Sequence, residues 1–341
     1  MGFYSKFYAA TIALILSGTV AHAIDYSAGK FDFKLTGYGT GGIIQPDFET
    51  PLFIGDWRVR GEIDLNANDN HKFGAVYSLD AAATDDGKAF REAFGFYQLK
   101  QVGRIEVGFT DSIARKLGVG LPDVGGLRIN DRPIFHKKIV PEGPVISDTT
   151  LTTGRSALRV NVATSQINGA QYGLSLSGIT DDYDYAIDGG LKIRKSDGKV
   201  KRAFSLGASF MNNPHAFSTD VYAPPVTADS RTQLTAGMNI QYNSWIWGTT
   251  ARLIYDDNPT GPVSDGIVAG TGVSYDLFQY SVSLTYMFSD TGIWNRDVDD
   301  FMDHMLIGSF RYKYSANVDG WISMGITSKT PFVSAGMRLT F

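Results

Sequence analysis

The sequence contains no cysteine, which excludes disulfide bonds, thiolate metal sites and cysteine nucleophiles. It also lacks an excess of positive charge: 31 lysines and arginines against 35 aspartates and glutamates give a formal net charge of −4, a poor balance for a nucleic-acid-binding protein. The histidines have no metal-ligand spacing, and no GxSxG nucleophile elbow occurs. We therefore predict no metal, no cofactor, no nucleic-acid partner and no enzymatic activity.

Long apolar runs are also missing, except near the N-terminus. Lys6 is the only charged side chain there, an apolar run extends from Ala9 to Val20, and Ala21-His22-Ala23 has the small-x-small form of a cleavage site. A membrane-spanning helix needs about 20 apolar residues, so this run is too short for an anchor and is typical of a secretory signal peptide. We expect residues 1–23 to be cleaved and residues 24–341 to form a single exported domain.

Glycine and aromatic residues are abundant, with 38 Gly, 17 Tyr and 21 Phe against only 12 Pro. This composition favours many strands joined by tight turns. In the final nine residues the alternation is strict, and Val333, Ala335, Met337, Leu339 and Phe341 fall on one face. A strand with one apolar and one polar face fits between lipid and water.

The same alternation predicts sixteen strands along the chain, and short connections take turns with long ones. An even number of long strands with short turns on one rim is typical of outer-membrane barrels, because only a closed barrel or a helix satisfies every backbone polar group in lipid. We predict an all-β, transmembrane antiparallel β-barrel; a soluble β-sandwich, which also alternates, is the alternative. The strands are expected at about 30–40, 56–66, 71–81, 90–100, 103–110, 155–164, 169–179, 182–194, 200–211, 231–243, 244–256, 265–276, 277–288, 303–314, 317–327 and 331–341.

Several stretches resemble the Gram-negative general porins. Residues 90–100, a two-residue turn and residues 103–108 are similar to the hairpin that precedes the third loop in that family. Leu-Pro-Asp-Val-Gly-Gly at 121–126 resembles the family's Leu-Pro-Glu-Phe-Gly-Gly, with aspartate for glutamate and valine for phenylalanine. Residues 155–178 resemble the strand pair that leaves this loop, and the terminal Phe341 matches the family's assembly signal.

This resemblance implies a trimeric, sixteen-stranded channel in the outer membrane of a Gram-negative bacterium, with a long third loop, about residues 111–154, folded into the lumen. It implies passive diffusion of ions and small hydrophilic solutes down their gradients, without turnover. The implied partners are these solutes, outer-membrane lipid and lipopolysaccharide, two further copies of the chain in a homotrimer, and the barrel-assembly machinery.

Alternation also predicts which arginines line the lumen, because the neighbours of a lipid-facing residue point to the other side of the wall. We expect Trp57, Phe94, Phe96 and Leu158 to be among the lipid-facing residues. The arginines then expected inside are Arg58, Arg60, Arg91, Arg155 and Arg159.

The long loop has its own charges, since residues 111–153 contain six bases and five acids. The resemblance places Arg91 in the arginine cluster of the constriction and Asp123 at the loop carboxylate opposite to it. A basic wall that faces carboxylates sets a transverse field, which orients dipolar solutes. The loop residues added to the predicted constriction are Arg128, Asp131 and Arg132. The alternative is that all these charges merely solvate a water-filled wall.

Other functions are open at this stage. A solute-selective channel would favour rows of aromatic or basic residues on the lumen face, whereas the predicted lumen faces are rich in glycine and serine. A barrel hydrolase and a surface adhesin would both share the fold, although no catalytic triad is recognisable in the sequence.

Overall fold

The computed structural model describes residues 23–46, 50–68, 70–82, 90–122, 124–125, 157–178, 184–213, 228–257, 266–290, 303–327 and 331–341. These residues form seventeen strands and one short helix. Among these residues, no helix is long and apolar enough to cross a membrane. The strands are β1 (Ile24–Ala28), β2 (Phe31–Pro46), β3 (Leu52–Asn68), β4 (His71–Ala82), β5 (Phe90–Leu99), β6 (Gly103–Thr110), β7 (Ala157–Thr164), β8 (Ala170–Ser177), β9 (Tyr185–Asp197), β10 (Val200–Asn212), β11 (Ser230–Tyr242), β12 (Trp245–Asp257), β13 (Gly266–Leu277), β14 (Tyr280–Asp290), β15 (Asp303–Lys313), β16 (Val318–Thr327) and β17 (Pro331–Thr340), and the helix is α1 (Ile113–Leu117).

All the strands belong to one antiparallel sheet that closes on itself. Each strand from β2 to β16 pairs with the next along the chain, and β17 returns to pair with β2, where Thr340 lies opposite Tyr38. β1 pairs with the other half of the same β2 edge, where Ile24 lies opposite Leu35. Because β17 and β1 lie end to end in one position of the wall, the seventeen segments build a closed barrel of sixteen strands.

The predicted sixteen-stranded antiparallel barrel is confirmed, but the prediction missed β1. Its five residues are too few to show a convincing alternation. β2 and β3 are also longer than expected, since β2 ends at Pro46 and β3 begins at Leu52. Glycines at 41, 42 and 55 interrupt the apolar pattern in these extensions, while the backbone still pairs.

The wall has its apolar side chains on the outside. On β7, Leu158, Val160 and Val162 are 57%, 44% and 49% exposed, whereas Arg159 and Asn161 between them are 1% exposed. A soluble β-sandwich shows the reverse, because burial of a large aliphatic side chain stabilises the fold by ~2 kcal/mol. The outward rows therefore match hydrocarbon, and the sandwich alternative is wrong.

Short and long connections lie at opposite rims, because successive antiparallel strands run in opposite directions. The turns after β9 and β11 are short, and Gly198 and Asn243 adopt φ angles of 55° and 52° there. Trp245 and Tyr275, whose ring centroids are 4.4 Å apart, lie at the same rim, where aromatic rings favour the lipid–water boundary. The opposite rim includes the connection 111–156. In outer-membrane barrels the short turns face the periplasm.

Candidate functional site

The described part of the third long connection, residues 111–122 and 124–125, lies against the inner wall. Its helix α1 contacts β8, β9 and β10. Ser112 caps the helix, since its hydroxyl accepts a hydrogen bond from the N–H of Arg115 at 3.3 Å. The segment follows the wall from β8 to β14 by donating backbone hydrogen bonds to inward serine hydroxyls: Ile113 to Ser175 (2.6 Å), Val119 to Ser205 (2.9 Å) and Val124 to Ser283 (3.2 Å).

Inward glycines allow this close approach. A Cβ on Gly237 of β11 would overlap the carbonyl oxygen of Val119, and one on Gly190 of β9 would lie 3.0 Å from the Cα of Ala114. Any larger residue at these positions would displace the loop segment, because core packing leaves no spare volume. In the sequence, the glycine- and serine-rich lumen face is only mild evidence against solute selectivity. The structure shows that this face is the surface on which the third loop packs.

Lys116 attaches α1 to the barrel wall. Its ammonium contacts the carboxylate of Glu106 and lies 2.5 Å from the hydroxyl of Thr110. The same ammonium is 4.0 Å from Glu92 and 4.4 Å from the centre of the Phe94 ring. Glu92 and Glu106 are only 6% and 8% exposed. Buried carboxylates of this kind need a nearby cation to compensate for their lost hydration, and Lys116 supplies it.

Two further bases complete the arrangement. Arg104 lies 3.0 Å from Glu106 and stacks 3.6 Å from the centre of the Phe96 ring, while Arg60 lies 3.3 Å from Glu92. The set Arg60, Glu92, Arg104, Glu106 and Lys116 is called the Lys116 cluster below. It joins β3, β5 and β6 to α1 through charges of alternating sign. Only Arg60 was predicted as a site residue. Glu92, Arg104, Glu106 and Lys116 were not, although the first three occupy lumen-facing positions of the hairpin that carries the resemblance.

The prediction that Phe94 and Phe96 face lipid is wrong. In the strand register Phe94 lies opposite Gly108 and Phe96 opposite Glu106, and both rings are 5% exposed. They face inward because cations cover their faces, an arrangement that is favourable away from bulk water. The inward direction predicted for Arg91 depended on lipid-facing positions for these two rings, so that prediction loses its basis.

Arg91 itself is the extra residue of a β-bulge. Glu92 pairs with Ser78 and Phe90 pairs with Leu79, which leaves Arg91 without an opposite residue. A bulge changes the direction of a side chain relative to strict alternation. The side chain of Arg91 lies outside the described part of the structure, and its role at the constriction stays a prediction.

Arg58 and Arg60 lie on the inward face, as predicted from alternation. Ile63 and Leu65, on the outward face of the same strand, are 39% and 50% exposed. The guanidinium of Arg58 is 5.8 Å from the centre of the Tyr38 ring, which lies directly opposite in the register. Arg60 belongs to the Lys116 cluster, so β3 brings one predicted arginine to the loop attachment.

Arg159 also faces inward, but it does not border open water. Its side chain and that of Asp188 are both 0% exposed and lie 2.9 Å apart. Arg159 is therefore part of the packed wall. The predicted constriction residues Asp123, Arg128, Asp131, Arg132 and Arg155 lie outside the described residues.

The terminal Phe341 continues the ladder of β17. It accepts a hydrogen bond from the N–H of Gly37 at 2.7 Å and donates one to the carbonyl of Gly37 at 2.9 Å. The backbone of the last residue is therefore paired with β2 next to the part of β2 that pairs with β1. Recognition of Phe341 as an assembly signal stays a prediction.

Comparisons with known proteins agree with this geometry. Residues 8–320 match the family model of Gram-negative porins, whereas no curated protein matches the chain. Solved structures are similar in fold. They include the trimer form of OmpT, an outer-membrane protein of Vibrio cholerae (TM-score 0.67, 10% identity, 92% of this chain and 100% of that one), Salmonella typhi OmpF in complex with daunomycin (0.65, 10%, 93% and 100%), and an anion-selective porin from Comamonas acidovorans (0.62, 13%, 91% and 100%).

Proposed function

The chain belongs to the Gram-negative porin family and is an outer-membrane channel for passive diffusion of solutes; from this premise we propose that the Lys116 cluster and the loop segment it holds define the narrow part of the passage. The observation that carries the proposal is the position of the Lys116 ammonium, in contact with Glu106 and 4.0 Å from Glu92. A segment fixed in this way takes up space inside the lumen and narrows it at the height of α1. The predicted residues Arg58, Arg91, Arg155, Asp123, Arg128, Asp131 and Arg132 are proposed to contribute charge to the same region.

Solutes would cross the channel down their own gradients. The charges of the Lys116 cluster lie in a low-dielectric wall, which focuses their field into the water-filled space. Dipolar solutes would align in this field, and ions of either sign would be weighted by the local balance of charge. The channel requires no cofactor and no energy input.

We further propose that the chain has no catalytic activity. Family membership favours a channel, and the buried charged groups described above are ion-paired within the wall. A solute-selective channel, a barrel hydrolase and an adhesin are the competing functions. Stepwise conductance would argue against an adhesin, and hydrolysis of a lipid or peptide by the purified protein would argue for the hydrolase.

The assembly proposed is a homotrimer, on the analogy of the trimer form of the Vibrio cholerae protein. Outer-membrane lipid and lipopolysaccharide would contact the outward apolar rows, and the barrel-assembly machinery would recognise Phe341. We also propose cleavage after Ala23. β1 begins at Ile24, directly after this position, which supports the proposal. Intact-mass measurement of the protein from outer membranes tests the cleavage site.

Planar-bilayer recording in a salt gradient tests the proposed function. We expect stepwise current increments, closures in groups of three, and a reversal potential that gives the ion preference. Liposome swelling with sugars of increasing size would then measure the exclusion limit. A folded, membrane-inserted barrel without conductance would overturn the proposal.

A further inference from the structure

The hairpin of β9 and β10 is unusually basic. Residues 192–202 contain six lysines and arginines and a single acid, Asp197, in a chain whose net charge is −4. The bases are Lys192, Arg194, Lys195, Lys199, Lys201 and Arg202, here called the basic hairpin. Within the described part of the chain, none of them forms an ion pair with a carboxylate, in contrast to the bases of the Lys116 cluster.

Alternation sends some of these bases into the lumen. Gly190 faces inward, since a Cβ on it would point at Ala114 of α1. Lys192 and Arg194, two and four residues further along the same strand, therefore also face inward. Lys201 on β10 lies opposite Ser196 in the register and shares this face. These three inward bases extend from the short-turn mouth to the loop, because Lys192 donates a hydrogen bond to the carbonyl of Gly118 at 3.2 Å, just after α1.

The remaining bases of the strands face outward. Lys195 lies directly opposite Arg202 in the register. Each is next in the chain to an inward base, Arg194 or Lys201, so both point to the other side of the wall. The hairpin therefore has an inward pair of cations at the mouth of the lumen, Arg194 and Lys201. Each is followed directly in the chain by a cation of the outward pair, Lys195 or Arg202.

A recess of about 460 Å³ adjoins the inward pair. Its lining includes Arg194, Lys195, Lys201 and Arg202 together with the amide side chains of Asn239 and Gln241. Asn239 is held in place by a hydrogen bond to the carbonyl of Gly120 at 3.1 Å, and Gln241 by one to the carbonyl of Asn243 at 3.2 Å. The recess thus combines two amides held by hydrogen bonds with the exposed cations of Arg194 and Lys201, and it is large enough for a small organic anion.

The opposite side of the same mouth, in contrast, contains charges of both signs, since Lys72 contacts the carboxylate of Asp64 there. Asp32 on β2 lies about half-way around the barrel from β9 and β10 in the strand order, and its carboxylate accepts hydrogen bonds from Ser27 and Asn66 at 2.5 and 2.7 Å. Asp25 lies beside it, opposite Lys34. An anion at the short-turn mouth is therefore attracted toward the basic hairpin, whose described bases have no ion-paired carboxylate, more than toward the other wall, where charges of both signs lie close together.

We propose that the recess beside Arg194 and Lys201 is a binding subsite for small solutes that carry a carboxylate or a phosphate. The subsite rests on the proposed channel function and specifies a solute class for it. Like charges on neighbouring strands destabilise each other, and an oxyanion between them replaces this repulsion with charge-assisted hydrogen bonds. The subsite raises the local concentration of such anions at the short-turn mouth, which faces the periplasm in outer-membrane barrels.

Single-channel recording with inorganic phosphate tests this subsite. The inner variant is Arg194→Gln with Lys201→Gln. The matched control is Lys100→Gln with Lys199→Gln, which removes the same charge from two exposed turns of the same rim outside the recess. Phosphate is added to one side of the bilayer at a time, at constant ionic strength. We expect phosphate to reduce the chloride current of the wild type more strongly from one side, and the inner variant to raise the half-blocking concentration by about tenfold, the effect of one charge-assisted hydrogen bond.

The outcomes separate the subsite from the channel. Equal effects of the inner and control variants, or a wild type that phosphate does not block from either side, would overturn the subsite while the stepwise currents still support the channel. A larger effect of the control variant would point to a general effect of positive charge at the rim and would also overturn the subsite. Absence of stepwise currents in the wild type would reject the channel itself. If the inner double variant does not fold, Lys201→Gln alone, at the exposed mouth, is expected to raise the half-blocking concentration at least about threefold.

Discussion

Arg159 on β7 and Asp188 on β9 form an ion pair across β8, at 2.9 Å and with both side chains 0% exposed. The intervening strand contributes Ser177, which lies opposite Arg159 in the register. A second pair, Arg231 with Asp256 at 2.6 Å, is buried in the same way between β11 and β12. The inner wall therefore contains charges that balance each other within the protein, in addition to those that face the passage.

Replacement of Arg159 with alanine is expected to destabilise the barrel. The change removes the guanidinium that lies 2.9 Å from the buried carboxylate of Asp188, and breaking a buried ion pair on one side costs ~3–5 kcal/mol. Urea unfolding in lipid vesicles, followed by tryptophan fluorescence, measures the free energy. The double variant Arg159→Met with Asp188→Leu should recover most of the loss, since it removes both charges. Equal instability of the single and double variants would contradict a charge-based explanation.

Replacement of Lys116 with methionine is expected to loosen the third loop. The change removes the only ammonium of α1 in contact with Glu106, so Glu92 and Glu106 keep Arg60 and Arg104 as partners within the wall while the loop segment loses its ionic attachment. We expect more frequent brief closures in single-channel records than in the wild type. Lys100→Met, in an exposed turn at the other end of β5, is the control. Identical gating noise in both variants would show that Lys116 does not hold the loop.

Replacement of Gly237 with alanine is expected to reduce conductance. The added methyl group overlaps the carbonyl of Val119, so the loop segment must move away from the wall into the lumen. Gly41→Ala is the matched control, because a Cβ there has nothing within 4 Å. Single-channel conductance of the two variants at equal salt is the measurement. A Gly237→Ala channel as conductive as the control would mean that the segment shifts along the wall instead.

Replacement of Arg91 or Arg155 with alanine is expected to shift the reversal potential toward cation preference. Each change removes one positive charge from the predicted constriction, where low-dielectric walls strengthen its field. Zero-current potentials in a tenfold salt gradient are the measurement, with Lys100→Ala as a control for charge at the rim. An unchanged potential in both variants would remove these two residues from the constriction.

The sequence predicted the barrel because alternation is a local property that each strand shows independently. Outward residues such as Leu158 and Val160 are apolar regardless of what lies inside, so strand number and closure could be predicted without knowledge of any contact. The inner face obeys no such rule. Phe94 and Phe96 are apolar and yet face inward, because Arg104 and Lys116, from β6 and α1, cover their rings.

The position of the third loop depends on many strands at once. Ser175, Ser205 and Ser283 are ordinary lumen residues in their own strands, and only the register of the closed sheet shows that one segment donates to all three. The bulge at Arg91 is equally invisible in the sequence, because it results from a mismatch between β4 and β5. Pairwise contacts between distant strands decided the features that alternation could not predict.

The end-to-end arrangement of β17 and β1 has a consequence for folding. The barrel closes where β17 pairs with β2, between residues that are separated by 286 (Phe332 and Pro46) to 302 (Thr340 and Tyr38) positions in the sequence. Contacts of this range form late and slowly, and until they form, an open edge exposes unpaired amides to the bilayer. Pairing of β17 with β2 is thus the step that completes the barrel. A protein that protects the unpaired strand edges until then would determine how much folded barrel is formed.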